Sequence, residues 1–247
     1  MKRLVLSILF FVFACVTALA GPPFTTDDPE PVEYRNWECY FASQYERNNE
    51  GTTGTAPHFD INYGIAREAH LNVVIPLAYA GLPGNSMNYG PGDMEIGVKY
   101  RFVSETPSFP QIAIYPRIVS PTGNSSLGLG EGKTAYFLPV WLQKSFGPWT
   151  VFGGGGPWHN DTGPNNNNYW QTGCVLQRDI SKTLTLGLEA FNFSAGGDGE
   201  DARTGADAGA TYNFNDNSHV LCSAGGDVTG SNALFFYIAY QLTVGPR

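Results

Sequence analysis

A glycine-rich segment before Lys133 is the first stretch whose residue types could do chemistry. SSLGLGEGKTAYFL (residues 125–138) ends its glycines in Gly-Lys-Thr, as a nucleotide-binding P-loop does. In a P-loop the first glycine stands five positions before the last, but that position here is Leu127. The run after Lys133 is aromatic, contains Pro139 and favours a strand over the helix that a P-loop opens. The segment therefore predicts a flexible loop that leads into a strand.

A serine beside a histidine would support a second kind of chemistry, nucleophilic attack on a lipid or another ester. No H-x-S-N-G or G-x-S-x-G motif accompanies the histidines at positions 58, 70, 159 and 219. His219 and Ser223 form the best pair, but four residues along a strand separate them by about 13 Å, beyond hydrogen-bond reach. We predict no catalytic residue, and a lipid-modifying enzyme stays the alternative.

Metal binding has little support from residue types. His159 and Asp161 could supply one or two ligands, whereas a closed zinc site takes four. Acidic, glycine-rich loops are more often solvated than metal-bound. We predict no metal site and no cofactor.

Charged residues at alternate positions form the main candidate group. In PGDMEIGVKYRFV (residues 91–103) the charged side chains occupy one face of a strand and Met94, Ile96, Val98, Tyr100 and Phe102 occupy the other. The same division recurs in HFDINYGIA, KTLTLGLEA and TGADAGATYNF. We predict that these charges face a closed polar interior, where they set the selectivity of a pore or pair with one another: Asp60, Asp93, Glu95, Lys99, Arg101, Arg117, Glu189 and Asp207.

The N-terminus predicts export from the cytoplasm. Lys2 and Arg3 precede an apolar stretch over residues 4–16, and Ala18-Leu19-Ala20 has the small residues of a cleavage site. This pattern predicts a signal peptide over residues 1–20, cleaved after Ala20. Loss of two positive charges changes the formal net charge from -8 to -10, which argues against a nucleic-acid partner. The three cysteines left, at positions 39, 174 and 222, are too few and too widely spaced for a disulfide framework.

The elements that would position the charges are strands. The mature chain has no 18-residue apolar run that could form a spanning helix. Alternating segments lie near residues 37–47, 58–66, 70–80, 92–103, 110–120, 133–145, 148–157, 168–178, 182–194, 203–214, 218–227 and 232–244. Short links such as REA, SFGP and NDN alternate with long loops rich in Gly, Asn and Ser.

This pattern is typical of an all-β protein, a transmembrane antiparallel up-and-down β-barrel of about twelve strands. Residues 37–247 would form the barrel, with short periplasmic turns and long extracellular loops. A soluble β-sandwich is the alternative, but it gives no reason for long loops at every second connection. Residues 21–36 form a proline-rich acidic arm that would either enter the pore mouth or extend into the periplasm.

Three stretches resemble the outer-membrane transporter family of the MetA pathway of phenol degradation: PFTTDDPEPVEY leading into WECY, PGDMEIGVKYRF, and PVWLQKSFGPW. The resemblance implies a β-barrel linked to the passage of small hydrophobic or aromatic compounds across the outer membrane. It implies no catalytic residue. Many outer-membrane proteins end on an aromatic residue that the assembly machinery reads, whereas this chain ends in LTVGPR. Tyr240 or Leu242 would have to serve instead.

The sequence therefore predicts an outer-membrane channel for passive passage of small molecules. Its expected partners are outer-membrane lipid, a small-molecule solute and the assembly machinery of that membrane. Besides the lipid-modifying enzyme, a structural or adhesive barrel without transport stays open.

Overall fold

One closed antiparallel sheet forms the body of the protein. The computed structural model describes residues 23–81, 86–161, 168–196 and 202–246, so the predicted signal peptide and its cleavage site lie outside the described residues. Strand β1 pairs with β15 from Trp37 opposite Val244 to Arg47 opposite Leu234, which closes the sheet into a barrel. The strands are β1 Trp37–Arg47, β2 Thr52–Ala66, β3 Ala69–Gly81, β4 Asn88–Pro91, β5 Met94–Val103, β6 Gln111–Ile114, β7 Arg117–Ser120, β8 Ala135–Phe137, β9 Val140–Phe146, β10 Trp149–Asn160, β11 Tyr169–Asp179, β12 Leu184–Phe193, β13 Arg203–Asn215, β14 Ser218–Thr229 and β15 Leu234–Val244.

Three strands of the barrel are interrupted by two residues each: 92–93 between β4 and β5, 115–116 between β6 and β7, and 138–139 between β8 and β9. Pro116 and Pro139 account for two of these breaks, because proline has no N–H to donate to the ladder. With each interrupted pair taken as one strand, the described residues form a twelve-stranded barrel. This confirms the predicted fold class, and the β-sandwich alternative is wrong.

The glycine-rich segment lies in the connection between β7 and β8. A single 3₁₀ turn, Ser125–Leu127, is followed by Gly128 and Gly132 with φ of 72° and 69°, which glycine adopts without strain. Strand β8 begins at Ala135, two residues after Lys133. The prediction of a loop followed by a strand is confirmed.

The strands place apolar side chains outside and polar side chains inside. On β5, the outward-facing Ile96 and Val98 are 47% and 37% exposed. Lys99, the next residue after Val98, faces inward and is 4% exposed. Buried polar residues on other strands include Gln111, Gln177 and Gln241. In water, such a continuous apolar exterior would drive aggregation, whereas it matches the hydrocarbon of a bilayer. We therefore treat the strands as membrane-spanning.

The two ends of the barrel differ. We call the end with the links at 67–68, 147–148 and 216–217 the short-turn end, and the other the long-loop end. None of the described helical segments is long and apolar enough to cross a membrane. Cys39, Cys174 and Cys222 are free thiols.

Residues 23–32 lie inside the barrel, and residues 33–35 are exposed. The chain passes from Pro23, buried near the middle of the lumen, to Trp37 at the short-turn end. There Tyr34 forms a bridge to Gly64 on β2, and the Arg35 N–H donates to the Gly64 carbonyl over 2.8 Å. Of the two positions that the sequence left open for the arm, the structure shows the one inside the pore.

Substitution of an outward leucine tests the direction in which the strands face. Leu188 lies near the middle of β12 and is 62% exposed. Leu188→Arg should lower the free energy of unfolding from lipid vesicles by about 2–4 kcal/mol, whereas Leu184→Arg at the strand end should cost about 0–1 kcal/mol. Urea titration of vesicle-embedded protein, followed by tryptophan fluorescence, measures both. Equal losses would contradict a hydrocarbon environment around mid-strand Leu188.

Candidate functional site

Backbone groups of the arm bind side chains of the far wall. Glu189 on β12 accepts hydrogen bonds from the Thr25 N–H over 2.8 Å and from the Thr26 N–H over 2.5 Å. The Ser223 hydroxyl donates to the Pro23 carbonyl over 2.8 Å. A carboxylate that accepts two amide N–H groups makes strong, charge-assisted bonds. The start of the described arm is therefore fixed to β12 and β14.

The Phe24 ring packs against two strands that carry glycine at the contact. A Cβ on Gly187 or on Gly209 would lie 2.6 or 2.7 Å from this ring. Either side chain would force the arm away from the wall, because real Cβ atoms do not approach so closely. These two glycines let the arm lie flat on β12 and β13.

Lys99 is the main ionic anchor of the arm. Its Nζ lies 2.9 Å from Asp27 Oδ1 and 3.6 Å from Asp28 Oδ1, with all three side chains largely buried. Burial raises the pKa of Asp28 well above its usual range, and Lys99 only partly opposes this. Burial also acts on Asp27, but Lys99 and Arg117 outweigh it and hold the pKa of Asp27 below its ordinary value. Asp27 is therefore the charged partner of Lys99.

A second ionic group lies closer to the short-turn end. Arg101 pairs with Glu30 of the arm over 2.8 Å and with Glu68 of the β2–β3 turn over 2.7 Å. Gln111 donates to the other Glu30 oxygen over 2.8 Å. The Val32 N–H donates to His70 Nδ1 over 3.0 Å. The arm is thus held along most of its described length by polar contacts, which water could replace one at a time.

The other predicted charges also point inward, with different partners. Glu95 pairs with Arg117 over 3.1 Å. Asp60 accepts hydrogen bonds from Asn62 and Asn72, and Asp207 lies directly opposite Glu189 in the β12–β13 register. Asp93 accepts from the N–H groups of Gly123 and Glu131 and so holds the β7–β8 loop. Their influence on pore selectivity stays a prediction.

A cavity of about 610 Å³ occupies the lumen beside the arm. Pro23, Phe24 and Thr25 of the arm form part of its wall, and Glu46 and Arg203 line it near the long-loop end. Cavities of this size hold small organic molecules.

Six aromatic rings form a continuous row along the inner wall, which we call the aromatic row. Ring centroids are 4.5 Å apart for Phe137 and Trp158, with the rings stacked. The next four steps measure 6.0, 6.0, 5.6 and 5.5 Å, all within the range of favourable ring contacts. In order, the row is Phe137, Trp158, Tyr169, Phe193, Phe191 and Phe235.

An arginine covers each end of the aromatic row. The Arg117 guanidinium lies 4.8 Å from the Phe137 centroid, and that of Arg203 lies 5.7 Å from the Phe235 centroid. Arg203 also binds Glu46 over 3.1 Å and Asp227 over 2.6 Å. The aromatic row is therefore flanked by one guanidinium at each end.

The aromatic row and the Arg203 group were not found by sequence reasoning. Inward Phe191 and Phe193 break the rule that apolar residues face outward. The sequence does contain a signal of their direction. Phe191 and Phe193 occupy alternate positions after Glu189 on β12, so all three side chains point to the same face of the strand. Arg203 has the same relation to Asp207 on β13.

The alternative chemistry gains no geometric support. Ser223 donates to the arm, and the His219 ring is bonded to Asn213 over 2.7 Å, so the two side chains do not meet. No group of three metal-ligating side chains occurs among the described residues.

Solved structures with a similar fold are outer-membrane barrels. An outer membrane channel from Pseudomonas putida F1 has a TM-score of 0.67 and 14% identity, with 88% of this chain and 98% of that chain covered. The NanC porin has a TM-score of 0.61 and 8% identity over 83% of this chain and 98% of that one. The KdgM porin, solved in complex with disordered oligogalacturonate, has a TM-score of 0.58 and 11% identity over 82% and 98%. At these identities the likeness shows the fold alone.

Sequence comparison adds no relative. No family model matches the chain, and no curated protein matches it. The specific resemblance to the phenol-degradation family therefore stays a prediction.

Removal of the Lys99 ammonium should release the arm. Lys99→Met leaves Asp27 buried without its cation, so we expect a loss of about 3–5 kcal/mol in stability and new protease cleavage within residues 23–36. Limited proteolysis with mass spectrometry locates the cuts. Lys144→Met, which breaks the more exposed pair with Glu105, should cost about 1 kcal/mol or less and leave the arm protected. An arm still protected in Lys99→Met would refute the anchor.

Proposed function

We propose that this protein is an outer-membrane channel for passive passage of small molecules with hydrophobic or aromatic groups. The observation that carries the proposal is the lumen cavity of about 610 Å³, whose wall includes four rings of the aromatic row: Trp158, Phe191, Phe193 and Phe235. The likeness in fold to the Pseudomonas putida channel and to the two porins supports a pore. The apolar exterior supports a location in the membrane.

Passage begins at the long-loop end. A solute that passes Glu46 and Arg203 meets Phe235, Phe191 and Phe193, whose ring faces bind flat apolar groups weakly. Weak binding at several neighbouring rings suits a channel, because the solute has to leave each position as readily as it arrives. Transport is then diffusive and follows the concentration gradient.

The arm controls the second half of the path. Residues 23–32 lie in the lumen and narrow the path toward the short-turn end, so a solute crosses when the arm shifts toward one wall. The contacts that hold the arm are individual hydrogen bonds and ion pairs rather than a large apolar interface. The arm can therefore move without unfolding the barrel.

A disulfide between the arm and the wall tests this mechanism. A Cβ on Gly173 would lie 3.2 Å from the Thr26 Cβ, close to the 3.5–4.5 Å that a disulfide spans. In a background with Cys39, Cys174 and Cys222 changed to Ser, Thr26→Cys with Gly173→Cys should lock the arm. Entry of phenyl β-D-glucoside, an aromatic solute that lipid bilayers exclude, into liposomes should fall at least tenfold on oxidation and return with reductant.

The Thr26→Cys single variant is the matched control and should not respond to oxidant. Equal flux in the locked and reduced double variant would show that solute passes a fixed arm. No flux through wild-type protein, in liposomes and in planar bilayers, would reject the channel in favour of the adhesive or lipid-modifying alternatives. Partner binding by the long loops, or acyl release by detergent extracts, would then distinguish these two.

A further inference from the structure

The lumen cavity has two chemically different sides. Strands β2 and β12 lie on opposite sides of the barrel, and both contribute to the cavity wall. The β12 side carries Phe191 and Phe193 of the aromatic row, whereas the β2 side carries Asp60 and Asn62. A ligand that touches both sides needs an aromatic group at one end and a hydrogen-bond donor at the other.

Resting on the proposed channel function, we infer that the cavity selects organic cations with a flat aromatic group, such as arylalkylammonium ions. The ring lies against Phe191 and Phe193, and the ammonium faces Asp60. This assigns both a solute class and a binding site.

The charges around the cavity favour a cation. Among the described residues that line it, eight carry a carboxylate, and Lys99, Arg117 and Arg203 carry positive charge. Each of these cations already binds a carboxylate, over 2.9, 3.1 and 3.1 Å. The excess of carboxylates leaves the cavity acidic and raises the local concentration of cations over anions.

Asp60 is available to a ligand. Its Oδ1 accepts hydrogen bonds from Asn62 over 2.9 Å and from Asn72 over 2.6 Å. Within the described part of the chain, no basic side chain pairs with Asp60, and its Oδ2 has no partner. Two amides therefore orient the carboxylate while one oxygen stays open to the lumen.

A buried acceptor without a donor points to the same ligand chemistry. Asn72 Oδ1 belongs to a cavity-lining residue that is 1% exposed, and it has no hydrogen-bond partner in the described structure. A buried acceptor without a partner is costly, so a donor from solvent or solute is expected there. An ammonium supplies hydrogen-bond donors and a positive charge together, whereas a carboxylate solute supplies neither.

The aromatic row is also suited to a cation. Arginines already lie over its ends at Phe137 and Phe235, which shows that the ring faces accept positive charge. No cation of the described residues lies over Phe193, which lines the cavity between them. A bound solute therefore meets no competing cation of the described residues at Phe193.

Three probes separate the contributions of ring and charge. Full-length mature protein in detergent is titrated calorimetrically with 2-phenylethylammonium, 3-phenylpropionate and ethylammonium, and the same protein is studied in planar bilayers under a KCl gradient. We expect 2-phenylethylammonium to bind at least tenfold more tightly than either other probe, and the reversal potential to show preference for K⁺. Equal or tighter binding of 3-phenylpropionate would overturn the inference.

Matched variants locate the site. Asp60→Asn should weaken 2-phenylethylammonium binding about tenfold and Phe193→Leu several-fold, with conductance retained in both. Glu50→Gln removes one charge from an exposed outer-loop position and Phe214→Leu removes one outward ring, and neither should change affinity. Heat-dependent gel mobility checks that each variant is folded. Unchanged affinity in folded Asp60→Asn protein would refute the assigned site.

The outcomes for channel and site are distinguishable. Conductance without preference for the aromatic cation would overturn this inference and leave the channel intact. Selective binding without conductance or flux would overturn the channel and retain the site. Absence of both would reject both proposals.

Discussion

Backbone hydrogen bonding inside a membrane is the constraint on which the rest of this structure depends. Hydrocarbon offers no partner for an N–H or C=O group, so a sheet in a bilayer has to close on itself. Here β1 and β15 meet along eleven paired residues and leave no free edge. Because neighbouring side chains then alternate between lipid and lumen, closure also decides which residues can form a site.

Closure creates a second problem, which the arm solves. A barrel with polar side chains inside would otherwise leave Lys99 without its carboxylate partners and Arg101 with Glu68 as its one remaining ion pair among the described residues. The arm supplies Asp27, Glu30 and backbone N–H groups at the matching positions. The interior of this barrel is therefore a polar core, where a soluble protein has an apolar one. Its hydrogen bonds and ion pairs require specific geometry, and water can replace them.

The sequence predicted side-chain direction correctly where charged and apolar residues alternate strictly. It did not predict direction where aromatic residues face both the lipid and the lumen. On β5 the charged and apolar residues separate cleanly, so the inward direction of Glu95, Lys99 and Arg101 was predictable. On β8, β12 and β15 aromatic residues lie inside as well, and composition alone could not show that Phe137, Phe193 and Phe235 belong to one row. Phe137 meets Trp158 because β8 pairs with β10, whereas Phe191 and Phe235 meet although two strands separate β12 from β15. The ionic partners of the arm were likewise unpredictable, since the pairs of Lys99 and Arg101 with the arm join residues more than seventy positions apart.

The position of the arm also limits the order in which the molecule can be built. Residues 23–32 are encircled by strands that include the last one, β15, whose pairing with β1 seals the wall. A segment joined to the first strand is most easily enclosed if it lies across the open curved sheet before that seam forms. Closure of the barrel then wraps the strands around an arm that is already in place. Glu189 and Lys99 hold the arm in that position.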